Sequence, residues 1–286
     1  SYWQPLVAPA TGTVFGKSLQ VWQKKVRETL SLPDNKPIIM VGHQPIFFHP
    51  GILIKFIAAQ RLAQQVDGQL VFLVVDHHVG NNGVIQTPKE NVKIATIDSS
   101  VAMKNHPRVT TATTLEPFTA ALETANGANA AMQYANATVE LMSPWVTVNH
   151  VVAAGDLLHS AFGNEIVANI QSNKKHCVDS YNNAVANFPE SHVPMLQDGD
   201  LPLRKVGDEY APRALLLTLL ARLVGCDLFV HGRGGKKYDS VMEQWCKVWL
   251  GVSPCNATMA TATIHLPMEY KTLTDARRDY YSPPFD

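Results

Sequence analysis

Charge is what this sequence has least of. Only 17% of its 286 residues are Asp, Glu, Lys or Arg, against about 25% in an ordinary globular chain. The 24 basic and 24 acidic residues cancel, so the basic excess of a general nucleic-acid binder is missing and no such partner is expected. Long apolar runs are missing as well. The most apolar stretch, residues 214–221, is flanked by Arg213 and Arg222, far short of the ~18 residues a membrane helix needs, so no membrane partner is expected. The opening Ser1-Tyr2-Trp3-Gln4-Pro5 has neither a basic nor an apolar signal region. The four cysteines, Cys177, Cys226, Cys246 and Cys255, form no Cys-x-x-Cys pair. That argues against a disulfide framework and fits a reducing cytoplasm.

Several catalytic signatures are missing too. There is no His-Glu-x-x-His of a zinc protease and no Gly-x-Ser-x-Gly hydrolase elbow. No Gly-Lys-Ser/Thr follows the loop at 42–51, so a phosphate cradle there is weaker than a P-loop. Eleven histidines would permit a metal, but no spacing among them demands one, and a metal is not expected.

What is present is ample apolar material, 46% of the chain, enough for a sizeable core and too much for a disordered chain. Residues 37–42 and 70–75 are short apolar runs rich in β-branched side chains, and 226–230, Cys-Asp-Leu-Phe-Val, is a third candidate for a buried strand. Such runs suit strands covered on both faces, as in parallel sheets. Helices are expected at 51–66, 212–224 and 236–250, and a further strand at 91–98. Between Val109 and Asn173 there is no Lys or Arg; this Ala-, Asn- and Thr-rich stretch predicts helices at 116–142 and 151–171, with another at 175–187. Recurring strand–loop–helix units argue for an α/β fold. The expectation is an open, mainly parallel, Rossmann-like sheet with helices on both faces. Residues 1–108 and 191–286 would supply its two parts, and 109–190 a helical insertion or cap.

In open parallel sheets, ligands bind beyond the carboxyl ends of the strands. The first run is followed by Gly42-His43-Gln44-Pro45, the second by Asp76-His77-His78, and the third by His231-Gly232-Arg233-Gly234-Gly235. If the three strands are neighbours, three His-containing loops converge on one rim. The competing reading is that His and Gly simply favour loops. His49 and Pro50 precede a helix whose N–H groups would face the same rim, a geometry suited to an anion. On that helix Lys55 falls opposite the polar face of Gln60, Arg61, Gln64 and Gln65, among Ile52, Phe56, Ala59, Leu62 and Ala63. A lysine there either snorkels upward or meets a ligand. Gly232, Gly234 and Gly235 permit close backbone approach in a second anion loop, to which Arg233 could add a bidentate contact. Arg213, near the start of its helix, faces the rim or a carbonyl. Asp76-His77-His78 also occurs in the phosphoesterases named for that triplet, but the upstream Asp-x-Asp that holds their metals is missing here.

Gly42-His43-Gln44, followed by Phe47 or Phe48, Gly51 and Lys55, resembles the N-terminal motif of the cysteine-adding enzymes of bacillithiol biosynthesis. Asp76-His77-His78 is similar to that family's Asp-His-Asp motif, with His78 in place of the second Asp. The segment from Arg213 to Tyr238 is similar to its late segment, an Arg-initiated helix leading through a strand to a Gly-rich turn and Tyr. As a divergent or truncated relative, the chain would have a Rossmann-type core akin to class I aminoacyl-ligase folds. The resemblance implies joining cysteine's carboxyl to a glucosaminyl-malate amine. On this reading His43, Asp76, His77 and His231 are catalytic. Gln44, His49, Lys55, His78, Arg213, Gly232, Arg233, Gly234, Gly235 and Tyr238 bind ligand. The partner is a small anionic molecule; ATP or another nucleotide is left open as cofactor, and a homodimer as assembly. The alternative is a non-catalytic protein of the same fold that binds a small anion or nucleotide.

Overall fold

The computed structural model describes residues 6–47, 50–86 and 90–262. In chain order its elements are β1 (Thr13–Val14), β2 (Lys17–Ser18), α1 (Leu19–Thr29), β3 (Ile38–His43), α2 (Pro50–Gln65), β4 (Gln69–Val74), β5 (Val84–Gln86), β6 (Asn91–Lys93), α3 (Phe118–Thr124), α4 (Ala130–Met142), β7 (His150–Ala153), α5 (Ala154–Leu158), α6 (Ala161–Ser172), α7 (Lys174–Asn187), β8 (Leu203–Val206), β9 (Glu209–Pro212), α8 (Ala214–Leu220), β10 (Leu228–His231), α9 (Arg233–Leu250) and β11 (Ala257–Met259).

The three apolar runs form β3, β4 and β10, at the centre of a five-stranded sheet in the order β11-β10-β3-β4-β7. Every pairing in it is parallel. Because side chains alternate across a strand, each run feeds two cores. Ile38 and Met40, Val71 and Leu73, and Phe229 face the core built with α1 and α6–α9. Ile39 and Val41, Leu70, Phe72 and Val74, and Leu228 and Val230 face the core built with α2 and α4. The chain is therefore an α/β protein with a parallel sheet covered on both faces. No helix among the described residues is long and apolar enough to cross a membrane.

A buried ion pair sets the bottom of the sheet. Arg27 of α1 donates twice to Asp227, at 2.9 and 2.8 Å. Asp227 Oδ2 also accepts the Ile38 N–H at 2.7 Å. One carboxylate thus joins α1, the start of β3 and the approach to β10. The register continues from there: Leu228 lies opposite Ile39 and Phe229 opposite Met40, which carries His231 level with Gly42, while His43 lies opposite Val74.

The structure departs from the sequence expectations in five places. The helix expected at 151–171 begins as strand: His150–Ala153 is the sheet-edge strand β7. Asn149 clamps it to β4, its Oδ1 accepting the Leu70 N–H at 2.8 Å and its N–H donating to Leu70 O at 2.9 Å. Segment 109–190 is therefore largely helical but also supplies part of the sheet. The helix expected at 116–142 is two helices, because Asn129 caps a new start by accepting the Met132 N–H. The strand expected at 91–98 shrinks to β6, which pairs with β5 outside the main sheet. The helix expected from 212 begins at Ala214, since Pro212 still belongs to β9. Finally, Arg233, Gly234 and Gly235 are not a loop. They form the first turn of α9, with Gly232 as its N-cap.

Candidate functional site

At the C-terminal edge of the sheet, His231 ends β10 and His43 ends β3. Beside them Asp76-His77-His78 follows β4, and the Val75 N–H donates to His43 O at 2.9 Å. The sheet order thus brings the three loops side by side. Helices α2 and α9, of 16 and 18 residues, both start at this edge, so their N-terminal partial positive charge is added to it.

Lys55 bridges the first and third loops. It is only 6% exposed, and its Nζ donates to Gly42 O at 3.1 Å. A Cβ on Gly232 would come within 3.3 Å of its Cδ, so the lysine stem lies under the N-cap of α9. It does not snorkel outward. Burial pulls its pKa from 10.5 down to about 8. No carboxylate pairs with it among the described residues.

His43 is half-buried, and its Nδ1 donates to Gln44 O at 3.1 Å. Because a carbonyl can only accept, a neutral ring then has its lone pair on Nε2. His231 is held on both edges. Its Nε2 donates to Asp239 Oδ1 at 3.0 Å, and a Cβ on Gly235 would lie 2.1 Å from its Nδ1. Asp239 is in turn fixed by Arg222 at 3.1 Å, a residue 1% exposed that also binds Glu243 and the Cys255 carbonyl. Tyr238 stands edge-on to His231, ring centres 5.8 Å apart. Burial, then Asp239, pushes its phenol up to about 12. This arrangement gives His231 a positioning role more readily than that of a proton carrier.

Around β4 the pieces differ. The buried Asp76 accepts the Gly155 N–H at 3.0 Å. A Cβ on Gly155 would come within 2.8 Å of its Oδ2, which explains a glycine at that position. His77 is buried, with Nδ1 3.5 Å from Asp76 Oδ1, too far for a good hydrogen bond. The His78 imidazole is pulled down by burial first, then by Arg204 and His77, against the raising effect of its hydrogen bond to Asn82. Arg204, on β8, donates to His77 O at 2.7 Å. Arg213 donates to Asp200 Oδ1 at 3.2 Å, so it faces a carboxylate rather than the Lys55 side of the rim. His49 lies outside the described residues, and the Arg233 side chain is not described.

No protein-family profile matches this chain. No curated protein matches it either. Among solved structures it is similar to tyrosyl-tRNA synthetase complexed with L-tyrosine from Archaeoglobus fulgidus, with 13% identity and a TM-score of 0.37. The alignment covers 89% of this chain and 62% of that one, so the chain spans less than two thirds of that protein's length.

Arg204, Asn82, Gly155, Asp239 and Arg222 also shape the rim, and motif reading does not find them. Arg222 left one trace in the sequence: it is a lone charge at the end of an apolar helical run, where burial requires partners. Two surface hollows, one of about 230 Å³ near His106 and one at the α6–α7 junction, are lined by none of the rim residues.

Proposed function

We propose that the chain is an enzyme of ligase or nucleotidyl-transfer type. Its substrate would be a small anion, an amino acid or sugar acid, seated where the ends of β10, β3 and β4 meet. The observation that carries this reading is Lys55. An ammonium buried with one carbonyl partner among the described residues is costly, and a substrate carboxylate or phosphate would supply a counter-charge. The N-termini of α2 and α9 add to the same attraction. In this scheme Lys55 neutralises negative charge that develops during reaction. His43, with Nε2 as the basic nitrogen, carries the proton. Asp76 holds a substrate ammonium, and Gln44 lines the entrance. His231, fixed by Asp239, sets the floor beneath Gly232.

The finer version is the cysteine-adding reaction of bacillithiol biosynthesis. Its support is the order of Gly42-His43-Gln44, Asp76-His77-His78 and the Arg213–Tyr238 segment along the chain. Neither nucleic acid nor membrane enters the scheme.

Titration calorimetry with malate, phosphate and ATP tests it, on the parent and on Lys55→Met. Loss of a charged hydrogen bond, about 1–3 kcal/mol, should weaken the bound anion by roughly 5- to 150-fold. Unchanged affinity for every anion would overturn the reading. Incubation with cysteine, glucosaminyl-malate and ATP, followed by mass spectrometry, tests the finer version. Binding without an amide product would leave a non-catalytic binding protein.

A further inference from the structure

Five buried side-chain polar atoms have no hydrogen-bond partner among the described residues, and three of them belong to two segments that touch, the loop after β4 and the end of the β8–β9 hairpin: His77 Nδ1, Asn82 Nδ2 and Arg213 Nε. His77 and Asn82 are 4% and 5% exposed. Native proteins rarely bury such groups without an acceptor. Asn82 Nδ2 and Arg213 Nε can only donate, and His77 Nδ1 donates in one tautomer.

Arg204 of β8 joins the two segments through His77 O. The β8–β9 register places Arg204 opposite Ala211, so Arg213, two residues further on, shares its face of the hairpin. The two guanidiniums are close enough for Arg213 to depress Arg204, after burial as the larger cause. Arg204 has five N–H donors, and its one hydrogen bond among the described residues goes to His77 O. No carboxylate pairs with it there, while Asp200 occupies Arg213 Nη2. Like charges side by side, with unused donors around them, need acceptor oxygens between them.

We propose that the 77–82 loop and the β8–β9 hairpin form an oxyanion site that takes a carboxylate or a phosphate group. Arg204 supplies the charge, and His77, Asn82 and Arg213 supply the remaining donors. Asp76 borders the site and keeps it selective for a group small enough to stand clear of its carboxylate. The site lies past β4, whereas Lys55 sits between β3 and β10, so its failure leaves the reading of Lys55 standing.

The probes are inorganic phosphate and acetate, titrated into the full chain and followed by calorimetry. Arg204→Gln and Asn82→Ala should each weaken the bound probe by about tenfold or more, equivalent to about 1.4 kcal/mol. Arg204→Lys, which keeps the charge but loses the fork, should fall between. Lys55→Met should leave this binding event in place. Which probe binds decides between phosphate and carboxylate. Thermal midpoints report folding, and if Arg204→Gln does not fold, Asn82→Ala and Arg204→Lys carry the test. Parent-like affinity in the folded Arg204 and Asn82 variants would overturn the proposal. So would no binding of either probe by the parent up to ~10 mM, since ordered water would then be satisfying the donors.

Discussion

Replacing Lys55 by Met should make the unliganded protein more stable. An ammonium whose pKa falls from 10.5 to about 8 on folding is disfavoured by burial, and Met keeps the stem while removing the charge. At about 1.4 kcal/mol per tenfold the penalty is about 3 kcal/mol, and the hydrogen bond to Gly42 O is lost against it. The net gain at pH 7 is therefore on the order of 1–3 kcal/mol, or a few degrees in thermal midpoint for a chain of this size. The pH dependence has a definite sign. Below pH 8 both folded and unfolded states hold the proton, and the penalty is fully present. Between about 8 and 10.5 the unfolded chain binds the proton and the folded one does not, so parental stability rises with pH. The advantage of Met should shrink across that window and vanish above it. Urea denaturation of both proteins at pH 7 and pH 10 measures this. A Met variant less stable than the parent at pH 7, with the same difference at pH 10, would show that the fold already satisfies the charge. The argument that Lys55 waits for an anion would then fail.

Two further outcomes are expected. Asp227→Ala leaves Arg27 buried and unpaired, so it should cost about 3–5 kcal/mol, while the double change Arg27→Met with Asp227→Leu should cost less; a single-variant loss below ~1 kcal/mol in urea denaturation would show that the pair does not set the sheet. Gly235→Ala should lower the thermal midpoint even though Ala favours helices, because its Cβ would lie 2.1 Å from His231 Nδ1 and 2.6 Å from Cγ; the loss expected for such overpacking is about 1–3 kcal/mol, and an unchanged midpoint would refute this packing.

What the sequence determined by itself is local. The apolar runs at β3, β4 and β10 dictated strands buried on both faces, since every second side chain had to find a core on each side. The apolar side of α2, Lys55 included, was legible from helical spacing, and so was the placing of His43 and His231 at strand ends and of Asp76-His77 just beyond one. Tertiary structure alone decided the rest, because the deciding contacts join residues far apart in the chain. Asp227 meets Arg27 across 200 positions, and that pair sets β10 beside β3 and so brings the first and third loops together. Arg204 reaches His77 across 127 positions, and nothing local marks a hairpin arginine as part of the rim. His150–Ala153 became an edge strand because β4 offered an open ladder beside it. Gly235 sits in a helix, where its own propensity disfavours it, because the His231 ring leaves no room for a Cβ. Local patterns fix which segments must be buried; only the folded chain fixes which charges and donors end up without partners.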